Sequence, residues 1–136
     1  MAGKSCYYLD TSAFAKLVRA EPETPAMHAY IARNPQSVLV SAMLLRTEAL
    51  RAMARVDQRY VAQARRLLRR EIAMIPLDRD LLDQAALLQP VGLRTLDAIH
   101  VAAALALGDD LSEVVTYDGR LAEAARQQGL VVASPT

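Results

Sequence analysis

The run Cys6-Tyr7-Tyr8-Leu9 sets the strongest constraint on the fold. It is too short for a helix and lacks the apolar–polar alternation of a half-exposed strand. A strand of that kind has both faces covered, as in the middle of a parallel sheet. Asp10-Thr11-Ser12 follows at once. Ser12 is a good N-cap for a helix from Ala13 to about Ala20, because its hydroxyl can accept from a free first-turn N–H. Asp10 then stands where a buried strand ends and a helix begins. In open α/β sheets ligands bind in the crevice at that edge. An Asp in this place can also be no more than a turn or capping residue.

The rest of the chain keeps alternating. Thr24-Pro25 opens a helix with Met27, Tyr30 and Ile31, which stops at Asn34-Pro35. Ser37–Ser41 reads as a short apolar strand, followed by a helix from about Ala42 to Val56. Asp57 caps another helix, whose apolar face is Val61, Ala64, Leu67 and Leu68. Ala73–Pro76 is a third strand, and Asp78 caps a helix with Leu81, Leu82, Ala85 and Leu88. Thr95 caps a helix to Leu107, closed by Gly108. Glu113–Tyr117 and Leu130–Val132 are further strands, on either side of a helix from Gly119 to Gln128. Strands alternating with helices predict an α/β architecture with a mainly parallel sheet. The 136 residues suffice for one domain, spanning residues 1–136, and are too few for two.

Composition narrows the class. No run of about 18 apolar residues occurs, so no membrane span is expected. No signal-peptide pattern precedes the first strand, which predicts a cytoplasmic protein. The single cysteine, Cys6, cannot form an internal disulfide or a cysteine zinc site within one chain, and reads as a core residue. The net charge is +1, but eight arginines lie between Arg46 and Arg70 against only Glu48 and Asp57. Arginine suits bidentate contact with phosphate. A GC-rich coding sequence would give the same bias.

Acids occur where acids are unusual. Glu48 lies inside the apolar stripe Leu44, Leu45, Ala49, Ala52, Met53 and Val56. It is either paired or bound there, or it sits at the stripe's edge and meets Arg51 or Arg55 in solvent. The helix Leu96–Leu107 is apolar nearly all round, which marks it as buried. Its ionisable groups are Asp97, in the first turn where the helix dipole favours an anion, and His100, which reads as a satisfied core histidine. Asp118 repeats the pattern of Asp10: apolar strand, hydroxyl, acid, helix. Turn formation through Asp118-Gly119 is its simpler role.

Together, Asp10, Glu48, Asp97 and Asp118 fall on one edge of a parallel sheet. Four carboxylates converging there would repel one another and raise their pKa values. A multivalent cation makes such a cluster favourable, and an all-oxygen donor set suits Mg²⁺ or Mn²⁺. Such a centre activates water for attack on phosphorus.

Four segments now carry a resemblance: Tyr8–Leu17, Arg46–Arg51, Leu93–Ala102 and Val115–Leu121. In order and spacing, over almost the whole chain, they resemble PIN-domain ribonucleases, in particular the VapC-type toxins of type II toxin–antitoxin pairs. The resemblance implies a three-layer α/β/α domain with a five-stranded parallel sheet. It implies that Asp10, Glu48, Asp97 and Asp118 form an acidic catalytic pocket, with Asp10 and Asp97 the firmest ligands for Mg²⁺ or Mn²⁺. Ser12 and Thr116 match polar residues beside that pocket.

It implies also an endoribonuclease that hydrolyses RNA by metal-activated water, leaving 5′-phosphate and 3′-hydroxyl ends. The partners implied are an RNA substrate, a cognate antitoxin and a second copy in a homodimer. Arg51, Arg55 and Arg59, four residues apart, would align as an RNA-binding row if the helix continued past Asp57; Arg65, Arg66, Arg69 and Arg70 form a second group. Each row can equally be a solvated face. The alternative is a non-catalytic PIN-fold module that binds RNA or protein. A phosphatase of similar layout would need an Asp-x-Asp motif, and here Asp10 is followed by Thr11 and Ser12.

Overall fold

A computed structural model describes residues 5–136. The expectation about a missing leader rests partly on Met1–Lys4, outside the described residues. Five strands, β1 (Cys6–Leu9), β2 (Val38–Ala42), β3 (Ile72–Ile75), β4 (Leu111–Val115) and β5 (Val132–Ala133), form one sheet in the order β3-β2-β1-β4-β5. Every pairing is parallel. The seven α-helices among the described residues are α1 (Thr11–Val18), α2 (Thr24–Ala32), α3 (Leu44–Val56), α4 (Gln58–Arg70), α5 (Arg79–Ala86), α6 (Thr95–Leu105) and α7 (Gly119–Gln127).

The centre of the sheet is β1, and all four of its residues are buried. Its side chains alternate between two cores, as the strand period requires. Tyr7 and Leu9 join Phe14, Met27, Leu45, Met53 and Leu68, from α1 to α4. Tyr8 joins Leu81, Val101, Ala104, Leu121 and Ala125, from α5 to α7. The result is the three-layer α/β/α arrangement with a five-stranded parallel sheet. Among the described residues no helix is long and apolar enough to cross a membrane.

Several boundaries differ from the sequence expectation. The cap of α1 is Asp10, not Ser12: its carboxylate accepts from the Ala13 N–H, and the helix starts at Thr11. The Ser12 hydroxyl turns back to Asp10 instead. Ala42 is held in β2 by pairing with Ile75, which delays α3 to Leu44. Arg94, not Thr95, precedes α6, and the residues after Leu105 tighten into a 3-10 turn at Gly108–Asp110. Gly108 there has φ +55°, a conformation that favours glycine.

Asp57 is extended, with φ −169° and ψ 133°, and ends α3 while capping α4. Asp78 caps α5 as expected, accepting from the Leu81 N–H at 2.9 Å. Asp78→Ala leaves that donor without a partner and is expected to cost about 1 kcal/mol, with Asp78→Asn costing much less. Urea unfolding of the two variants beside the parent measures it.

Candidate active site

Parallel pairing brings the carboxyl ends of β1 and β4 side by side, and the site is built there. Asp10 follows β1 and is 4% exposed. Its Oδ1 accepts from the Ser12 hydroxyl at 2.7 Å and the Ala13 N–H at 3.0 Å. Its Oδ2 accepts from the Thr116 hydroxyl at 2.6 Å. Ser12 in turn accepts from the Tyr117 N–H, and Thr116 from the Asp118 N–H. The first residues after β4 are thus tied to the first turn after β1. Burial pushes the Asp10 carboxyl above its ordinary range, against the hydrogen bonds from Thr116, Ala13 and Ser12 and the nearby His100.

Asp97 lies in the first turn of α6 and is partly buried. No described residue donates a hydrogen bond to it. Burial raises its pKa, and the charges of Asp118 and Asp10 raise it further, opposed by Arg94 and His100. Asp97, Asp118 and Asp10 are therefore close enough to repel. Asp118 caps α7, its Oδ1 accepting from the Arg120 and Leu121 N–H groups. Both strand-end acids thus act as caps and line the same edge.

Glu48 behaves differently. Its Oε1 takes the Thr11 hydroxyl at 2.7 Å and His100 Nε2 at 2.7 Å. Burial raises its pKa, but the His100 and Thr11 hydrogen bonds and the His100 charge together outweigh that, and the net shift is downward. The expectation of four mutually raised carboxylates is corrected here: Asp10 and Asp97 are raised, Glu48 is lowered. The solvent pairing of Glu48 with Arg51 or Arg55 is also absent among the described residues, because His100 occupies the carboxylate. His100 is the satisfied core histidine expected, 3% exposed, with Nδ1 2.7 Å from the Tyr8 hydroxyl.

The pocket acids keep unused oxygen capacity for a divalent cation. Asp10 Oδ2 carries one protein donor and keeps one lone pair. Asp118 Oδ2, Glu48 Oε2 and both oxygens of Asp97 have no partner among the described residues. The spare capacity is all carboxylate oxygen, which fits a hard cation. As they stand, no three described Asp, Glu, His or Cys side chains gather tightly enough to hold an ion. Asp97 is the acid that no hydrogen bond from the described residues restrains.

The arginine row is interrupted. α3 ends at Val56, so Arg59 belongs to α4, where it pairs with Asp57 at 2.8 Å. Arg51 and Arg55 stay exposed on α3. α4 ends just before β3 begins, so Arg69 and Arg70 lie toward the sheet edge opposite Asp10. Two other arginines, unremarked in the sequence, flank the acids: Arg94 and Arg120 line a cleft of about 430 Å³ with Asp97, Glu123 and Gln127. The available signal was position, since each lies within three residues of a pocket acid.

Comparison with known proteins agrees with the fold. The sequence profile of the PIN domain matches residues 7–127. Ribonuclease VapC46 of Mycobacterium tuberculosis is 42% identical over 130 residues, covering 95% of this chain and 97% of the relative. The crystal structure of M. tuberculosis VapC20, described as a sarcin-ricin loop cleaving toxin, superposes with a TM-score of 0.75 at 19% identity, covering 95% of this chain and 99% of that one. VapBC2 from Rickettsia felis, bound to a promoter DNA fragment, superposes with a TM-score of 0.71 at 11% identity, covering 96% and 99%.

Proposed function

The chain belongs to the PIN-domain family, within its VapC group, and on that footing we propose that it is a metal-dependent endoribonuclease acting as the toxin of a toxin–antitoxin pair. The observation that carries the proposal is the state of Asp97. It is partly buried, accepts no hydrogen bond from the described residues, and is repelled by Asp118 and Asp10 with only Arg94 and His100 in opposition. A site with that electrostatic deficit favours a cation.

Asp10, Asp97, Asp118 and Glu48 would hold Mg²⁺ or Mn²⁺. Bound there, the ion would lower the pKa of a water and neutralise charge on the scissile phosphate. The chain's own residues supply the rest. Ser12, Thr116 and the Ala13 N–H hold Asp10 in one orientation, so no reorganisation is needed at that ligand. Arg94 and Arg120 offset the repulsion between RNA phosphates and the acids, a task to which exposed Arg51, Arg55 and Arg59 add at longer range. Membership of the VapC group is the ground for the remaining elements: a cognate antitoxin, a homodimer, and action in the cytoplasm.

The test is cleavage of end-labelled RNA by purified protein freed of any partner, with Mg²⁺, Mn²⁺ or EDTA, beside Asp10→Asn. Cleavage that needs the cation and falls at least about 100-fold in the variant is expected. Cleavage that survives both EDTA and the substitution would remove the proposal. Binding of RNA without cleavage by the metal-loaded protein would favour the non-catalytic module.

A further inference from the structure

His100 is the only histidine in α6, and the function proposed above gives it no task. Its surroundings are unusually well determined. The ring is buried and stands edge-on to Tyr8, with centroids 5.8 Å apart and planes at 75°. Tyr8 is fully buried in the central strand, and its hydroxyl oxygen accepts from the Ala42 N–H at 3.2 Å. A continuous chain of contacts therefore runs from the backbone at the end of β2, through Tyr8 and His100, to Glu48. The polarity of the chain follows from its far end. An ionised carboxylate only accepts, so Nε2 carries a proton and donates to Glu48, while Nδ1 meets the Tyr8 hydroxyl at 2.7 Å.

We propose that Tyr8 and His100 form a brace that positions the Glu48 carboxylate, directing its unpartnered Oε2 toward the acidic pocket. A glutamate on a helix surface has three rotatable bonds, and ordering it costs on the order of 1.5–2 kcal/mol of rotamer entropy. Here that freedom is already removed. Two donors at 2.7 Å, the Thr11 hydroxyl and His100 Nε2, converge on the same oxygen, Oε1. Thr11 belongs to α1 and His100 to α6, so the carboxylate is gripped between two helices. His100 and Tyr8 are positioning residues: neither has an atom left to offer a substrate. The consequence for cation binding rests on the reading of Glu48 as a pocket ligand, whereas the position of its side chain does not.

His100→Asn removes the donor at Nε2, while His100→Gln carries an amide N–H out to about the same place. Crystal structures of the folded variants read the position of Glu48, and electron paramagnetic resonance titration reads Mn²⁺ affinity. In His100→Asn, Glu48 is expected to leave Thr11 and Mn²⁺ to bind about 10–100-fold more weakly. His100→Gln should stay within a few-fold of the parent. Glu48→Gln combined with His100→Asn should bind Mn²⁺ no more weakly than Glu48→Gln alone, because both changes remove one interaction. The brace is overturned if Glu48 keeps its place in His100→Asn, and its consequence for cation binding is overturned if Glu48 is displaced there while Mn²⁺ affinity is unchanged. A parent protein that binds no Mn²⁺ would defeat the functional reading, and the crystal structures would still decide the brace. Should His100→Asn fail to fold, Tyr8→Phe frees the ring from its tether and is expected to displace Glu48 in the same sense.

Discussion

Asp97→Asn is expected to reduce RNA cleavage by about 1,000-fold, roughly 4 kcal/mol in the barrier, while leaving the metal-free protein as stable as its parent or more so. The two effects have one cause. Asp97 has no hydrogen-bond donor among the described residues, so an amide in its place orphans nothing. Its pKa is raised by burial and by the charges of Asp118 and Asp10, so the ionised form is held at a cost in the folded state. Removing the charge relieves that repulsion, by on the order of 0.5 kcal/mol for a partly exposed group screened by solvent. On the proposed function it also removes a ligand for the cation. Sites that are strained for function show this opposition between activity and stability. Cleavage rates and urea unfolding in EDTA, measured on the same preparation, test both halves. A variant that loses activity and stability together would mean that Asp97 supports the fold rather than the chemistry.

Asp10→Asn is a different experiment, although the two residues share a pocket. Asp10 accepts three hydrogen bonds, and an amide there must turn an N–H toward one of those donors. Some loss of stability is expected with the loss of activity. Asp97 is the cleaner probe of function for that reason.

The strand-end acids were legible because the pattern that reveals them is local. An apolar run followed by an acid and a helix marks Asp10 and Asp118 without any knowledge of what lies opposite. Asp97 was legible because its helix is otherwise apolar. What one dimension hides is the partner. Glu48 stood out from its stripe, yet its partner, His100, is 52 residues away, and Arg51 and Arg55, one and two turns along the same helix, offered a local pairing. Tyr8 and His100 are separated by 92 residues, so a core tyrosine and a core histidine looked like two unrelated packing choices.

Capping errors had a related origin. Asp10 and Ser12 are both good caps, and local propensity cannot rank them. The choice was made by tertiary contact, because the Ser12 hydroxyl is engaged by Asp10 and by the Tyr117 N–H across the sheet edge. The arginine row failed at one residue. Asp57 adopts an extended backbone and caps α4 with its own side chain, so Arg51 and Arg59 do not share a helix.

Mn²⁺ is expected to raise the thermal midpoint of the protein by roughly 10 °C near pH 7 at a hundred times its dissociation constant. Ligand linkage gives about 2.7 kcal/mol at that ratio, and a domain of this size shifts by about 3–5 °C per kcal/mol. The effect should fade toward pH 4, and the direction of the acid shifts says why. Asp10 and Asp97 have folded pKa values raised above their ordinary 3.8. For such a group the stabilising contribution is full below 3.8, where both folded and unfolded chains are protonated, and is lost as pH rises through the folded value. Metal-free protein is therefore penalised near neutrality at these two residues, and it is there that a cation has most charge to neutralise. Glu48 runs the other way: its lowered pKa contributes stability above its ordinary value, lost as pH falls through the folded one. The difference in stability between parent and Asp97→Asn isolates one raised acid from that opposing term. It should move against the parent as pH rises from about 4 to 7 without metal, and Mn²⁺ should then stabilise the parent far more than the variant. An Mn²⁺ shift of equal size in Asp97→Asn, or no shift in the parent at neutral pH, would take Asp97 out of the cation site.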